Sequence, residues 1–408
     1  MNRYDSRVLG KNVIFSNDSR KTQLNNNVLV IGNSGCGKTG SFLYPCLKNL
    51  ANQSAVICDS KGLLYDMFKD ELLSKGYDVQ MLNFVDTEKS TIGWNPLDYM
   101  YHANGKVSYQ NIRKFSETLI PINSADEPVW PQGGQNILSF LLARTLEALP
   151  KEDHKIGTIV SLYHALIQPN GLSTFLPWTK EHPDSFSTGL LKEWMGSSQA
   201  DKMHASYMGF VSGALRSFIL PELKCIFDTD QKMDFANIGT KKTALFIVTS
   251  DSDRSMIDVT NLLYTQIFQI LLCQADNNPD GKLNVPTTLF LDDFGNCHIN
   301  DFDMILSITR SRDIGISCLI QSISQLRRAY GEAGAETIIN NMDTILYMAS
   351  NDLKTAEFIG TRANKTASNI LTMPREKSYL IVSGQNTMLV DRTIPYQYEL
   401  ASSLQPSM

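Results

Sequence analysis

Residues 27–40 read NVLVIGNSGCGKTG. Asn27–Ile31 is a short apolar, β-branched run, the pattern of a strand buried on both faces. Gly32, Asn33, Ser34, Gly35, Cys36, Gly37, Lys38 and Thr39 then match G-x-x-x-x-G-K-[ST] at every fixed position, and Gly40 opens a helix-like run over Ser41–Leu50. Glycines let the backbone wrap a phosphate chain and turn several N–H groups toward it, and the helix adds its positive end. Lys38 is placed to reach β- and γ-phosphates, and the Thr39 hydroxyl to bind Mg²⁺. Cys36 contributes its N–H as a small filler, with a redox role as the weaker alternative.

Outward from this stretch the spacing predicts strand, helix, strand. Ser54–Cys58 is a second apolar strand ending at Asp59, and Asp78–Asn83 alternates weakly as a third. The pattern resumes later at Ala244–Thr249, Thr287–Leu291, Ile316–Ile320, Thr344–Met348 and Ser378–Val382, with a helical stretch such as Asp258–Gln274 between most of them. The expectation is an α/β core with a parallel-rich central sheet. Ala363–Leu371 is polar and reads as a loop.

Between these blocks the character changes. From about Lys106 to Gln231 helical periodicity dominates, with Leu138, Leu141, Leu142, Leu146 and Leu149 on one face before Pro150. Ile156–Ile167 and Gln199–Ile219 also read as helices. The expected division is a nucleotide-binding domain over 1–105 and 232–408, with an all-α domain inserted at 106–231.

A phosphate loop needs an acidic partner at the end of another strand. Leu289-Phe290-Leu291-Asp292-Asp293 supplies one. Asp292 is the candidate for the Mg²⁺ shell and Asp293 for orienting or deprotonating an attacking water, against the plainer reading that the pair caps the next helix. Asp59 has two readings, a touch on the metal shell or the start of a turn. Gln321 follows a strand and is either a γ-phosphate sensor or a surface amide. Arg310 and Arg312 are candidates for stabilising transition-state charge in a neighbouring subunit, against the base rate that surface arginines do nothing of the kind. Arg327 and Arg328 read as a solvated helix face or a DNA-facing patch.

Composition sets the outer limits. The chain has 408 residues and is 42% hydrophobic, enough for a large core and not the composition of a disordered chain. Its 37 Lys+Arg against 42 Asp+Glu exclude a histone-like basic binder, though not a local basic groove. Cys36, Cys46, Cys58, Cys225, Cys273, Cys297 and Cys318 form no C-x-x-C pair, so a disulfide framework or zinc ribbon is not expected. The histidines form no H-E-x-x-H or H-x-x-x-H pattern. No apolar signal region opens the sequence and no run of about 18 apolar residues occurs, so no spanning helix is expected.

These blocks together resemble the type IV secretion coupling proteins, the VirD4/TraG/TraD-like ATPases of bacterial conjugation. Asn27–Thr39 is similar to that family's NVLVxGxxGxGKT, and Pro45 sits where the family has a proline in the following helix. Ser54–Gly62 (SAVICDSKG) is similar to SxVVxDPKGE, with Ser60 replacing proline and Leu63 replacing glutamate. Gly76–Leu97, Leu291–Gly331, Ile338–Asn341 and Asp352–Gly360 continue the likeness, so that it covers most of 27–105 and 285–360.

The resemblance implies a RecA-like P-loop NTPase core that binds ATP and Mg²⁺ and forms a homo-hexameric ring at the inner face of the cell membrane, with the isolated chain a monomer or poorly active. The cofactor contacts would be Gly32 to Gly40, the metal ligands Thr39 and Asp292, and the catalytic set Lys38, Asp293, Gln321 and either Arg310 or Arg312. Partners would be DNA, single-stranded by expectation, a relaxase or secreted protein substrate, and components of the secretion channel. DNA contact would be to phosphates and salt-dependent.

Two features depart from the family pattern. Its usual acidic pair is Asp-Glu, and Asp293 is one methylene shorter. Its N-terminal membrane helices have no counterpart in this sequence, so either they have been removed or this member meets the membrane through another subunit. A general DNA translocase of the FtsK/HerA type is the rival within the class, disfavoured by the NPL and QSxxQLxxxYG blocks. An ATP-gated adaptor with little hydrolysis is the rival outside it, and Asp293 favours that one. A nuclease finds no clustered carboxylates beyond Asp292 and Asp293.

Overall fold

The computed structural model describes residues 3–122, 129–197, 201–250, 253, 255–296 and 299–399. Cys297 lies outside them, and the other six cysteines are free thiols. The eleven strands among the described residues form two sheets. β1 (Ser6–Gly10) and β2 (Val13–Ser16) pair antiparallel by themselves. The large sheet holds β3 (Val28–Gly32), β4 (Ser54–Asp59), β5 (Asp78–Asn83), β6 (Thr243–Val248), β7 (Thr287–Leu291), β8 (Ile314–Ile320), β9 (Thr344–Ala349), β10 (Lys377–Val382) and β11 (Met388–Asp391). Its order is β11-β10-β9-β3-β8-β7-β4-β6-β5. The pairings from β9 through β5 are parallel, while β10 and β11 add an antiparallel edge.

The composition of each strand explains its place. Every residue of β3, β4, β6, β7 and β8 is buried, as a central parallel strand covered on both faces requires. β5, with buried and half-buried residues alternating at its start, takes the edge. The eight strands expected from the sequence are all present. β1, β2 and β11 were not expected, being only four or five residues each.

The expected loop at Ala363–Leu371 is instead the junction of two helices, Leu353–Ala363 and Ala367–Leu371. Asn364 takes the left-handed conformation (φ 52°) that ends the first helix. The Thr366 side chain then caps the second by accepting from Asn369 N, and Ile370 buries its one apolar side chain there. Polar composition hid a helix whose signals are its caps.

The chain divides into two compact units. One comprises Met1–Thr91, Asp234–Ser252 and Phe268–Met408 and contains both sheets. The other comprises Ile92–Met233 and Asp253–Ile267 and is helical, apart from two isolated bridges. Its core is the helix Val129–Ala148, in which Ile137, Leu138, Phe140, Leu141, Leu142 and Leu146 are buried. This unit is wider than 106–231 because buried Trp94 belongs to it. The indole donates to Gln266 Oε1 at 3.0 Å, Gln266 Nε2 donates to Pro96 O at 2.8 Å, and Tyr99 Oη donates to Met233 O at 2.6 Å.

Candidate functional site: a phosphate loop and an acidic strand end

β3 ends at Gly32 and the chain turns through Asn33–Gly37 into the helix-forming segment Thr39–Lys48. Gly35 and Gly37 have φ of 75° and 93°, the left-handed region that a Cβ disfavours. Gly32 leaves space for Cys36, since a Cβ there would lie 2.4 Å from Cys36 Sγ and that side chain would have to turn away. Lys38 is buried, and its Nζ donates to the loop carbonyls Gly32 O at 2.7 Å and Asn33 O at 3.3 Å. The first turn, Thr39–Leu43, is wide, and the α-helix proper follows over Tyr44–Lys48.

The sheet order brings the acidic pair to this loop. β8 lies between β3 and β7, so the C-terminal ends of all three strands stand side by side. Thr39 Oγ1 donates to Asp292 Oδ2 at 2.7 Å, joining the loop to the end of β7. Burial holds the Asp292 carboxyl above the usual carboxylate range, against the opposing pull of the Thr39 hydroxyl and the Lys38 charge. Its other oxygen accepts from Asp293 N at 3.0 Å. Asp293 takes a left-handed conformation (φ 54°), which aspartate tolerates better than most residues. Its Oδ1 accepts from Gln321 Nε2 at 3.3 Å, so the end of β8 closes the arrangement. Lys38, Thr39, Asp292, Asp293 and Gln321 therefore converge within one unit.

The donor set suits a magnesium nucleotide. Thr39 and Asp292 present two hard oxygens side by side, few enough to leave room for water and phosphate in an octahedral shell. The glycine conformations turn the loop into an anion cradle.

Other candidates fall elsewhere. Asp59 caps a helix: its Oδ2 accepts from Leu64 N at 2.7 Å and Tyr65 N at 3.2 Å. Arg310 and Arg312 sit in the turn before β8, and Gln321 follows its other end, so neither arginine joins this chain's own site. Arg312 is held by Asp276 at 2.7 Å, and Arg310 Nη2 donates to Gln23 O at 2.9 Å. Arg327 pairs with Glu332 and Glu336, both at 3.0 Å and both beyond Gly331, and Arg328 is exposed.

Sequence reasoning missed three contributors. Gln325 Oε1 accepts from Gln321 N at 3.1 Å and so orients the residue that meets Asp293. Gly295 makes room for it, since a Cβ there would lie 2.1 Å from Gln325 Cδ. Arg392 Nη1 donates to Cys36 O in the loop at 2.9 Å. The QSxxQ spacing contained the first signal; no motif marks the other two.

Comparison with known proteins gives a consistent picture. The model of the family described as type IV secretory system conjugative DNA transfer matches residues 2–368. Protein VirD4 of Rhizobium radiobacter is 22% identical over 339 residues, covering 81% of this chain and 47% of that protein. Protein VirD4 of Agrobacterium fabrum (strain C58 / ATCC 33970) is 22% identical over 340 residues, covering 81% and 48%. The chain thus spans about half the length of the curated relatives it matches. Among solved structures, plasmid coupling protein TrwB in complex with ADP and Mg²⁺ aligns with a TM-score of 0.62 at 17% identity, covering 93% of this chain and 87% of that one. The bacterial conjugative coupling protein TrwBdeltaN70 in complex with sulphate aligns with a TM-score of 0.63 at 16% identity, covering 90% and 85%. At such identities the likeness is one of fold.

Proposed function

From the premise that this chain belongs to the type IV secretory system conjugative DNA transfer family, we propose that it is a Mg²⁺-dependent ATPase of a conjugative secretion system. In this reading it couples a DNA–relaxase or protein substrate to the secretion channel at the inner face of the membrane. The observation that carries the enzymatic part is the Thr39–Asp292 hydrogen bond, which joins the phosphate loop to the acidic strand end at 2.7 Å. The cradle of Gly32–Gly40 would hold the phosphates, Lys38 would leave its loop carbonyls to neutralise them, and Thr39 with Asp292 would hold the metal. When bound, Mg·ATP supplies the phosphoanhydride bond whose cleavage is the chemistry. Asp293 would take a proton from water, and Gln321, already on Asp293, would orient that water.

The helical unit is proposed as the face that meets substrate, because an accessory unit can vary in specificity without altering the nucleotide site. A second reading, an ATP-gated adaptor with little turnover, is favoured by Asp293, whose carboxylate reaches less far than a glutamate. ATP turnover of the purified chain, with and without single-stranded DNA and beside Lys38→Ala, separates the two. The motor reading expects DNA-stimulated turnover that disappears in Lys38→Ala. Tight ATP binding without turnover that depends on Lys38 would favour the adaptor.

A further inference from the structure

We infer that the C-terminal segment Arg392–Tyr396 belongs to the nucleotide site and that Arg392 is the positioning residue that sets the phosphate loop. The inference deepens the nucleotide-binding reading above and rests on it. The segment lies beyond residues 2–368, the part matched by the family.

Arg392 leaves β11 with its N–H on Glu376 O at 2.8 Å, and its guanidinium then reaches carbonyls on three elements. Nη1 donates to Cys36 O at 2.9 Å, Nε to Lys377 O at 2.7 Å, and Nη2 to Met348 O. Cys36 lies inside the phosphate loop. Met348 lies in β9 beside Ala349, whose carbonyl accepts from Asn33 N at 2.7 Å. One planar group thus holds the loop at Cys36 and also holds the strand end to which the loop's first turn is bonded. This bridging uses the fixed fork of guanidinium donors, which a single ammonium lacks. The contacts just named, with a further one to Ser378 Oγ at 3.1 Å, go to backbone carbonyls and a hydroxyl, with no carboxylate among them. The Glu376 carboxylate acts on this half-buried cation from nearby without a direct bond among those named, and a polyphosphate in the loop would add negative charge on the cation's other side.

The segment continues across the start of the helix. Thr393 Oγ1 donates to Ser41 O at 2.6 Å, and Tyr396 N donates to Gly40 O at 3.2 Å. Gly40 permits this approach, because a Cβ there would lie 2.8 Å from Tyr396 Cε2 and 2.9 Å from Pro395 Cβ. The segment therefore lies beside the metal-binding end of the loop as well as behind it.

The test is equilibrium calorimetry of Mg·ATP and Mg·ADP binding to the full chain in the cold, for the parent, Arg392→Met, Arg392→Lys and Lys38→Ala. Each protein's thermal midpoint is measured without nucleotide. The expected result is that Arg392→Met weakens both nucleotides about tenfold or more in the cold, where the chain is folded, even if the lost carbonyl contacts lower its nucleotide-free midpoint, with Arg392→Lys intermediate. Affinity within about twofold of the parent, whatever the midpoint does, would show a merely structural arginine and overturn the inference. Should Arg392→Met not fold, Arg392→Lys decides: weakening of about threefold or more supports the inference and less overturns it. A parent that binds neither nucleotide, or a Lys38→Ala chain that binds both as the parent does, sinks the nucleotide reading itself and this inference with it.

Discussion

Asp59 ends β4 with its carboxylate turned onto the chain that follows, where it meets Leu64 N and Tyr65 N. Gly62, left-handed at φ 68°, makes the tight turn that brings those N–H groups back. Burial raises the carboxyl above its ordinary value of 3.8, and the backbone N–H groups only partly oppose this. A raised carboxyl binds more protons in the folded chain than in the unfolded one. Its contribution to stability is therefore present below 3.8 and is lost as pH rises through the raised value. Asp59→Asn keeps an acceptor oxygen for the cap and removes the charge. The midpoint of the variant minus that of the parent is expected to grow as pH is taken from about 3 to about 7, read by thermal unfolding without nucleotide. A difference flat with pH would mean that the carboxyl is not shifted. The residue level also shows what was legible in the sequence. Lys38, Thr39 and Asp292 could be read because phosphate and metal chemistry accept few residue types at fixed spacing. Arg392 could not, since it reaches Cys36 from 356 residues away and acts through a carbonyl that any residue provides.

The helix Ile323–Asn340 contains a break. Gly331 has φ 71° and ψ 171°, a conformation almost confined to glycine, while a Cβ there would meet nothing within 4 Å. The constraint is thus one of backbone rather than space. The break follows Tyr330, whose hydroxyl accepts from Ile299 N at 3.0 Å and whose ring stacks on Phe294, two residues after Asp292, at 5.5 Å. Two effects compete in Gly331→Ala. Alanine in a regular helix would gain about 1 kcal/mol over glycine, whereas the observed conformation would cost it about 1–3 kcal/mol. The cost is expected to win, so the variant should unfold at a lower temperature than the parent. A higher midpoint would mean that the segment accepts a straight helix. Elements were legible where a pattern ran long enough to repeat. The buried strands β3, β4, β7 and β8 each contain a short apolar stretch (VLVI, AVIC, LFL and CLI), and Val129–Ala148 carries several turns of periodicity. β11 is MLVD, with only Val390 buried; it pairs with β10 as a hairpin across residues 383–387, and its four residues are too few for a pattern to repeat. Ala367–Leu371 likewise owes its helix to the Thr366 cap.

At the scale of the whole molecule, the position of the two arginines bears on how a working enzyme is assembled. Arg310 and Arg312 precede β8 and Gln321 follows it. A seven-residue strand is about 23 Å long, well beyond the reach of one arginine side chain. If either arginine stabilises charge at a nucleotide, that nucleotide belongs to another copy of the chain. Arg312 is committed to its ion pair with Asp276, whereas Arg310 donates to the backbone carbonyl of Gln23 and has no ion pair among the described residues, so the prediction is made for Arg310. Turnover per chain should rise with protein concentration, and Arg310→Ala should lose about 10³-fold or more while still binding Mg·ATP. Lys38→Ala should also be inactive, for the opposite reason: its own loop is spoiled while its arginine is intact. Mixing the two inactive proteins then becomes decisive. In an equal, freely exchanging mixture, about one contact in four pairs an intact loop with an intact arginine, so about a quarter of the parent's turnover should return. If Arg310→Ala is inactive and mixing restores nothing, Arg310 acts within its own chain through its fold and not across a subunit boundary. If Arg310→Ala is as active as the parent, no shared arginine sits at this position, and the assembled site must be completed by another group or by none.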